Sequence, residues 1–136
     1  MINKLISILS GTYGLIKLNK ISNIEIFYDP NKTSCFIAKS MKNFNKDIII
    51  VDDIFINTTN DIQEAIVYHE LGHIKSKNIY CDITDEILAD IYTLDNIGKK
   101  RTMQMLNEVK NILIHNNKGT KEIDIRIDFI KKYRGV

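Results

Sequence analysis

The ten residues VYHELGHIKS, at positions 67–76, contain two of the three histidines in the chain. His69 and His73 are four positions apart, so on a helix both imidazoles project from one face and can reach the same metal ion. Glu70 projects about one residue's rotation away, where its carboxylate can take a proton from a metal-bound water. The order H-E-x-x-H therefore favours a zinc site. The alternative is a fortuitous polar face on an ordinary helix.

Two carboxylates further along the chain distinguish between these interpretations. A catalytic zinc ion takes three protein ligands and keeps one position open for water. Glu86 and Asp90 are also four positions apart, and they would repel each other on a partly buried face unless a cation or a histidine N–H lay between them. We predict Glu86 as the third ligand and Asp90 as the acceptor of a hydrogen bond from the far nitrogen of a liganding histidine. The alternative is a pair of surface acids at a helix start, which the helix dipole favours.

The rest of the chain predicts an α+β fold in a single domain spanning residues 1–136. Apolar residues at helical spacing between Ile2 and Tyr13 predict an N-terminal helix, and three β-rich segments then predict a small three-stranded sheet. The motif-bearing helix follows, then the helix that carries the glutamate ligand, and then two C-terminal helices. The predicted strands occupy residues 23–29, 34–41 and 48–56, the last of which begins as a continuous apolar run. The predicted helices occupy residues 61–77, 85–98, 99–116 and 122–133.

Composition limits the class of protein and its compartment. The chain has 136 residues, of which 44% are hydrophobic and 26% charged, as is typical of globular proteins. No apolar run approaches the roughly 18 residues of a membrane span, and the N-terminal segment lacks an A-x-A-like cleavage site. Cys35 and Cys81 are far apart with no CxxC motif, which fits a reducing compartment. We predict a cytoplasmic protein without a membrane span.

Charge is unevenly distributed along the chain. Residues 99–136 carry ten Lys or Arg against four Asp or Glu. A basic segment can indicate nucleic-acid binding, but no recognition motif or interleaved aromatic residue accompanies this one. We interpret it as a solvated helix face and do not expect a nucleic acid as partner.

The pattern HELGH followed by EILAD resembles the gluzincin metallopeptidases, whose signature is HExxH with a downstream ExxxD. The sequence VYHELGHI…EILADIYTLDNIG is most similar to small intracellular members of this group, the ImmA/IrrE-like and HtpX-like (minigluzincin-like) domains. The resemblance covers residues 48–98. The resemblance implies a zincin-like fold with one zinc ion per chain. It also implies His69, His73 and Glu86 as zinc ligands, Glu70 as general base and Asp90 as a supporting residue.

The sequence thus predicts a zinc metallopeptidase of narrow or regulatory specificity, acting on a protein or peptide substrate through a metal-activated water. If residues 34–41 form the sheet edge over the cleft, an extended peptide could bind there by strand addition. The alternative is a non-catalytic metal-binding or regulatory module of the same fold, which contacts nucleic acid or protein through the basic C-terminal third. A structural metal site would not need Glu70. Five residues are candidates for stabilising an oxyanion, although each also fits a packing or surface role: Tyr68, Tyr80, Tyr92, Tyr133 and His115.

Overall fold

The computed structural model describes residues 16–17, 24–30, 36–41, 47–76 and 82–135. Within these ranges the strands come first along the chain and the helices follow, which confirms the α+β class. The N-terminal helix predicted between Ile2 and Tyr13 lies outside the described residues. The strands are β1 (Ile16–Lys17), β2 (Glu25–Tyr28), β3 (Ala38–Met41) and β4 (Ile48–Val51); the helices are α1 (Asp53–Ile56), α2 (Asn60–Ser76), α3 (Ile83–Ile97), α4 (Lys99–His115) and α5 (Lys121–Lys132).

The strands form one mixed sheet in the order β1-β2-β4-β3. β4 pairs in parallel with β2 and antiparallel with β3, and all four of its residues are buried. This explains its unbroken apolar sequence, because a strand with neighbours on both sides and a covered sheet has no solvent face. All three predicted strands are present. The two-residue β1, which pairs antiparallel with β2, was not predicted because so short a strand has no recognisable period.

The apolar run at 48–56 does not continue as a strand beyond Val51. The side chain of Asp52 accepts hydrogen bonds from the backbone N–H groups of Ile54 (2.9 Å) and Phe55 (3.2 Å). It therefore acts as the N-cap of the short helix α1 and ends the strand.

The helices cover the sheet and carry the motif residues. α2 packs against α3 and also contacts α4 and β3. α4 and α5 are joined by a short turn and run antiparallel, since Lys110 pairs with Asp124 and Lys99 donates to the Lys131 carbonyl. Of the described helices, none combines the length and the apolar character that a bilayer crossing requires. The core between sheet and helices includes Ile26, Ile49, Val51, Phe55, Ala65, Val67, Met105, Leu106, Ile123 and Ile130.

Candidate metal centre

Helix α2 presents both motif histidines inside the protein. His69 and His73 are 7% and 9% exposed, and their rings meet edge to face with 4.7 Å between centroids. Their Nε2 atoms are 3.1 Å apart. The donor atoms of His69, Glu70 and His73 all lie within 4.8 Å of one another, a grouping that could hold a metal ion.

Glu86 reaches the same point from helix α3. Its Oε2 atom lies 2.8 Å from His69 Nε2 and 3.1 Å from His73 Nε2. Three ligand atoms at the usual zinc distances of about 2.0–2.1 Å, arranged tetrahedrally, would lie roughly 3.3 Å from each other. The triangle of Nε2, Nε2 and Oε2 is only slightly smaller than this, so these three side chains fit a zinc ion with little rearrangement.

Close packing of α2 against α3 brings Glu86 to the histidines. A Cβ atom at Gly72 would lie only 2.7 Å from the Cα of Ala89. Glycine is therefore required where the two helices cross, because any side chain would force the backbones apart. Ala89 lies between Glu86 and Asp90, so this contact positions both carboxylates. The Asp82 side chain accepts a hydrogen bond from Thr84 N (2.8 Å) and caps the start of α3.

Asp90 binds the far side of the His69 ring. The Nδ1–H of His69 donates to Asp90 Oδ1 at 2.8 Å, and Asp90 is fully buried. A carboxylate can only accept here, so the proton is on Nδ1 and Nε2 faces Glu86. The sequence predicted Asp90 as the acceptor of a histidine N–H, and the contact fixes the orientation of the His69 ring.

Arg126 is a member of the centre that sequence reasoning missed. Its Nε donates to Asp90 Oδ2 (2.8 Å) and its second terminal nitrogen to Asp90 Oδ1 (3.0 Å), a two-pronged contact that joins α5 to the centre. The remaining nitrogen lies 3.8 Å from Glu86 Oε2. The signal for it was local: Arg126 is three residues after Ile123 and four before Ile130, on the stripe that α5 buries.

The charges around His69 favour its protonated form in the metal-free protein. Burial alone would lower its pKa, but Asp90 and Glu86 more than offset burial and raise the pKa of the ring to about 10. Burial likewise opposes ionisation of Glu86, and the hydrogen bonds from both histidines outweigh it and hold the pKa of that carboxyl below its ordinary value. The proton on His69 Nε2 thus occupies the position that a cation would take.

Glu70 differs from the other carboxylates at the centre. It is 8% exposed, and burial raises its pKa above the usual value, although both histidines and a hydrogen bond with the Ser40 backbone oppose the shift. A raised pKa is what a carboxylate needs to accept a proton near neutral pH.

The structure describes four of the five candidate oxyanion donors. Tyr80 lies outside the described residues, and Tyr68, Tyr92, Tyr133 and His115 line neither of the two cavities that border the motif residues. Tyr133 instead stacks on Phe129, with 5.7 Å between ring centroids.

Comparison of the chain with protein-family models, with curated proteins and with solved structures finds no significant match. The resemblance to gluzincins therefore rests on the motif residues. The structure adds to it a buried cluster of HExxH form within a small α+β fold.

Proposed function

We propose that this protein is a zinc-dependent peptidase. The observation that carries the proposal is the meeting of His69 Nε2, His73 Nε2 and Glu86 Oε2 within 3.1 Å, with the buried carboxylate of Glu70 beside them. A site that only held a metal for stability would take four protein ligands and have no use for a carboxylate with a raised pKa.

The residues of the centre have separate tasks in this scheme. His69, His73 and Glu86 would hold the zinc ion, which supplies a Lewis acid and an activated water. Glu70 accepts the proton of the attacking water and passes it to the departing amine. Asp90, itself neutralised by Arg126, keeps the His69 ring oriented.

The edge strand β3 offers a place for the substrate. β3 is at the end of the order of the described strands, and Ser40 lines a cavity together with Glu70 and His73, so this edge runs past the proposed base. A peptide that added to this edge as a further strand would present a carbonyl group to the centre. The substrate in this proposal is a cytoplasmic protein or peptide, cleaved with a narrow or regulatory specificity.

The test compares wild type with Glu70→Gln, supplied with zinc, on a mixture of peptides analysed by mass spectrometry. We expect the variant to keep its zinc and to lose hydrolysis, because glutamine matches the shape of glutamate but cannot take the proton. Glu64→Gln is the matched control, since it makes the same change on the same helix at a side chain that is 42% exposed. Hydrolysis that survives in Glu70→Gln would remove Glu70 from the mechanism. A wild type that binds zinc and cleaves no peptide would favour the non-catalytic module.

A further inference from the structure

A cavity of about 530 Å³ opens directly beside the candidate metal centre. His69, Glu70 and Glu86 form part of its wall, so a molecule in the cavity would lie against the proposed reacting groups. The volume is in the range of about 300–1,000 Å³ that is usual for ligand sites.

Most of the remaining wall is apolar. The apolar part comes from three helices and from the chain at the start of β3, and its members are Phe36, Ile37, Ala38, Ile66, Met105, Val109, Leu113 and Ile123. The rest of the wall consists of Lys118, Gly119, Glu122 and Arg126. At about 30 Å³ per molecule, the cavity has room for on the order of fifteen waters. Water against the apolar part of the wall finds few hydrogen-bond partners, so an apolar group that displaces it there gains free energy.

The backbone at the cavity wall is held in an unusual conformation. Ile37 has a φ of 73°, which is rare for a β-branched residue. Asp52 holds it from both sides: Ile37 N–H donates to Asp52 Oδ2 at 2.8 Å, and Ile37 C=O accepts from Asp52 N at 3.1 Å. Strain of this kind persists where the surrounding structure fixes the chain, and it is common at functional sites. The wall is thus preformed at the point where β3 begins.

Resting on the proposed function, we propose that this cavity is the specificity pocket of the enzyme. It receives a large aliphatic or aromatic side chain, such as leucine or phenylalanine, from the residue next to the cleaved bond. The pocket and the edge of β3 share Ala38, so a peptide laid along that edge passes the cavity mouth. At the rim of the cavity, the Nζ atom of the exposed Lys118 lies over the Phe36 ring, 4.6 Å from its centre.

The first test measures binding without turnover. Methyl NMR spectra are recorded on the zinc-supplemented Glu70→Gln protein, which the proposed mechanism leaves unable to cleave the probes. The three probes are glycyl-leucinamide, glycyl-phenylalaninamide and glycyl-glycinamide. We expect the two apolar probes to shift the methyl signals of Val109 and Leu113 and to bind roughly tenfold or more tightly than the glycine probe. Equal binding of all three probes would overturn the proposal.

Variants that fill the cavity link this binding to the pocket. Val109→Phe, with Leu113→Phe as a second filling variant, should weaken the phenylalanine probe by roughly tenfold or more because the new ring occupies its space. The matched control is Ile114→Phe, which adds the same ring on the same helix at a residue that is 53% exposed and outside the cavity wall. Circular dichroism confirms that each variant is folded. Unchanged binding in both folded filling variants would overturn the proposal.

Peptide cleavage separates this inference from the proposed function. If peptides are cleaved, we expect a bulky apolar residue beside the cleaved bond in wild type and a smaller one in Val109→Phe. Cleavage with no apolar preference would refute the pocket and leave the peptidase standing. The opposite result is also possible. If the protein binds the apolar probes, Val109→Phe abolishes this binding and no peptide is cleaved, the peptidase is refuted, but the pocket is still a binding site for apolar side chains.

Discussion

Replacing Gly72 by alanine tests whether the crossing of α2 and α3 builds the centre. The added Cβ would lie 2.7 Å from Ala89 Cα and 3.1 Å from Ala89 Cβ. Carbon atoms in ordinary contact are about 3.5–4.0 Å apart, so the helices must separate by roughly 1 Å. Overpacking of this size costs about 1–3 kcal/mol, and the better helix propensity of alanine returns about 1 kcal/mol. We expect a net loss of about 0–2 kcal/mol in the free energy of unfolding.

Zinc affinity should fall much further than stability in Gly72→Ala. Zinc–ligand distances tolerate changes of about 0.2 Å. Separation of the helices would move Glu86 roughly 1 Å further away from the histidines. We expect at least a roughly ten- to hundredfold loss of affinity, the range seen when a supporting residue is removed. Chelator competition measures the affinity, and urea unfolding of the metal-free protein measures stability. Gly119→Ala is the control, because its Cβ would meet nothing within 4 Å. Wild-type zinc affinity in Gly72→Ala would refute the reasoning.

Two further predictions concern the buried charges. Arg126→Met should destabilise the protein by about 3–5 kcal/mol in urea unfolding, because it removes a buried guanidinium and leaves His69 as the remaining charged partner of the fully buried Asp90. A loss below about 1 kcal/mol, typical of exposed pairs, would contradict this. The His69–Asp90 pair predicts the pH dependence of the metal-free protein. The pKa of His69 is raised to about 10 in the folded protein, compared with about 6.5 in the unfolded chain. Its contribution to the free energy of unfolding is therefore complete below about pH 6.5 and is lost as the pH rises toward about 10. Asp90, whose pKa is lowered, contributes above about 3.9 and loses that contribution in acid. Thermal unfolding in chelator should therefore show stability declining from about pH 6.5 to 10 in wild type and a flatter profile in Asp90→Asn; parallel profiles would count against the pair.

The parts of the fold that sequence predicted well are those set by local periodicity. The helix predicted at 61–77 is Asn60–Ser76, and the one predicted at 85–98 is Ile83–Ile97. Four-residue spacing predicted that His69 and His73 share one face of their helix and that Glu86 and Asp90 share one face of the next. The two faces do meet, as the contacts of Glu86 with both histidines show.

The parts that sequence missed depend on distant neighbours. Arg126 binds a partner 36 positions earlier in the chain, so its place on the apolar stripe of α5 indicated burial but not which carboxylate it would meet. The need for glycine at position 72 becomes visible only when Ala89 is packed against it. Asp52 is a possible N-cap in the sequence, but the apolar runs before Asp52 and after Asp53 concealed the change from strand to helix.

Metal content of the purified protein tests the central claim most directly. Wild type and Glu86→Ala are purified without added metal, dialysed against buffer with a small excess of zinc and analysed by inductively coupled plasma mass spectrometry. We expect about one zinc ion per chain in wild type and a clear loss in the variant, because three ligands define the site. Wild type that holds no metal even after zinc is offered would contradict the account, and equal zinc in both proteins would remove Glu86 from the centre.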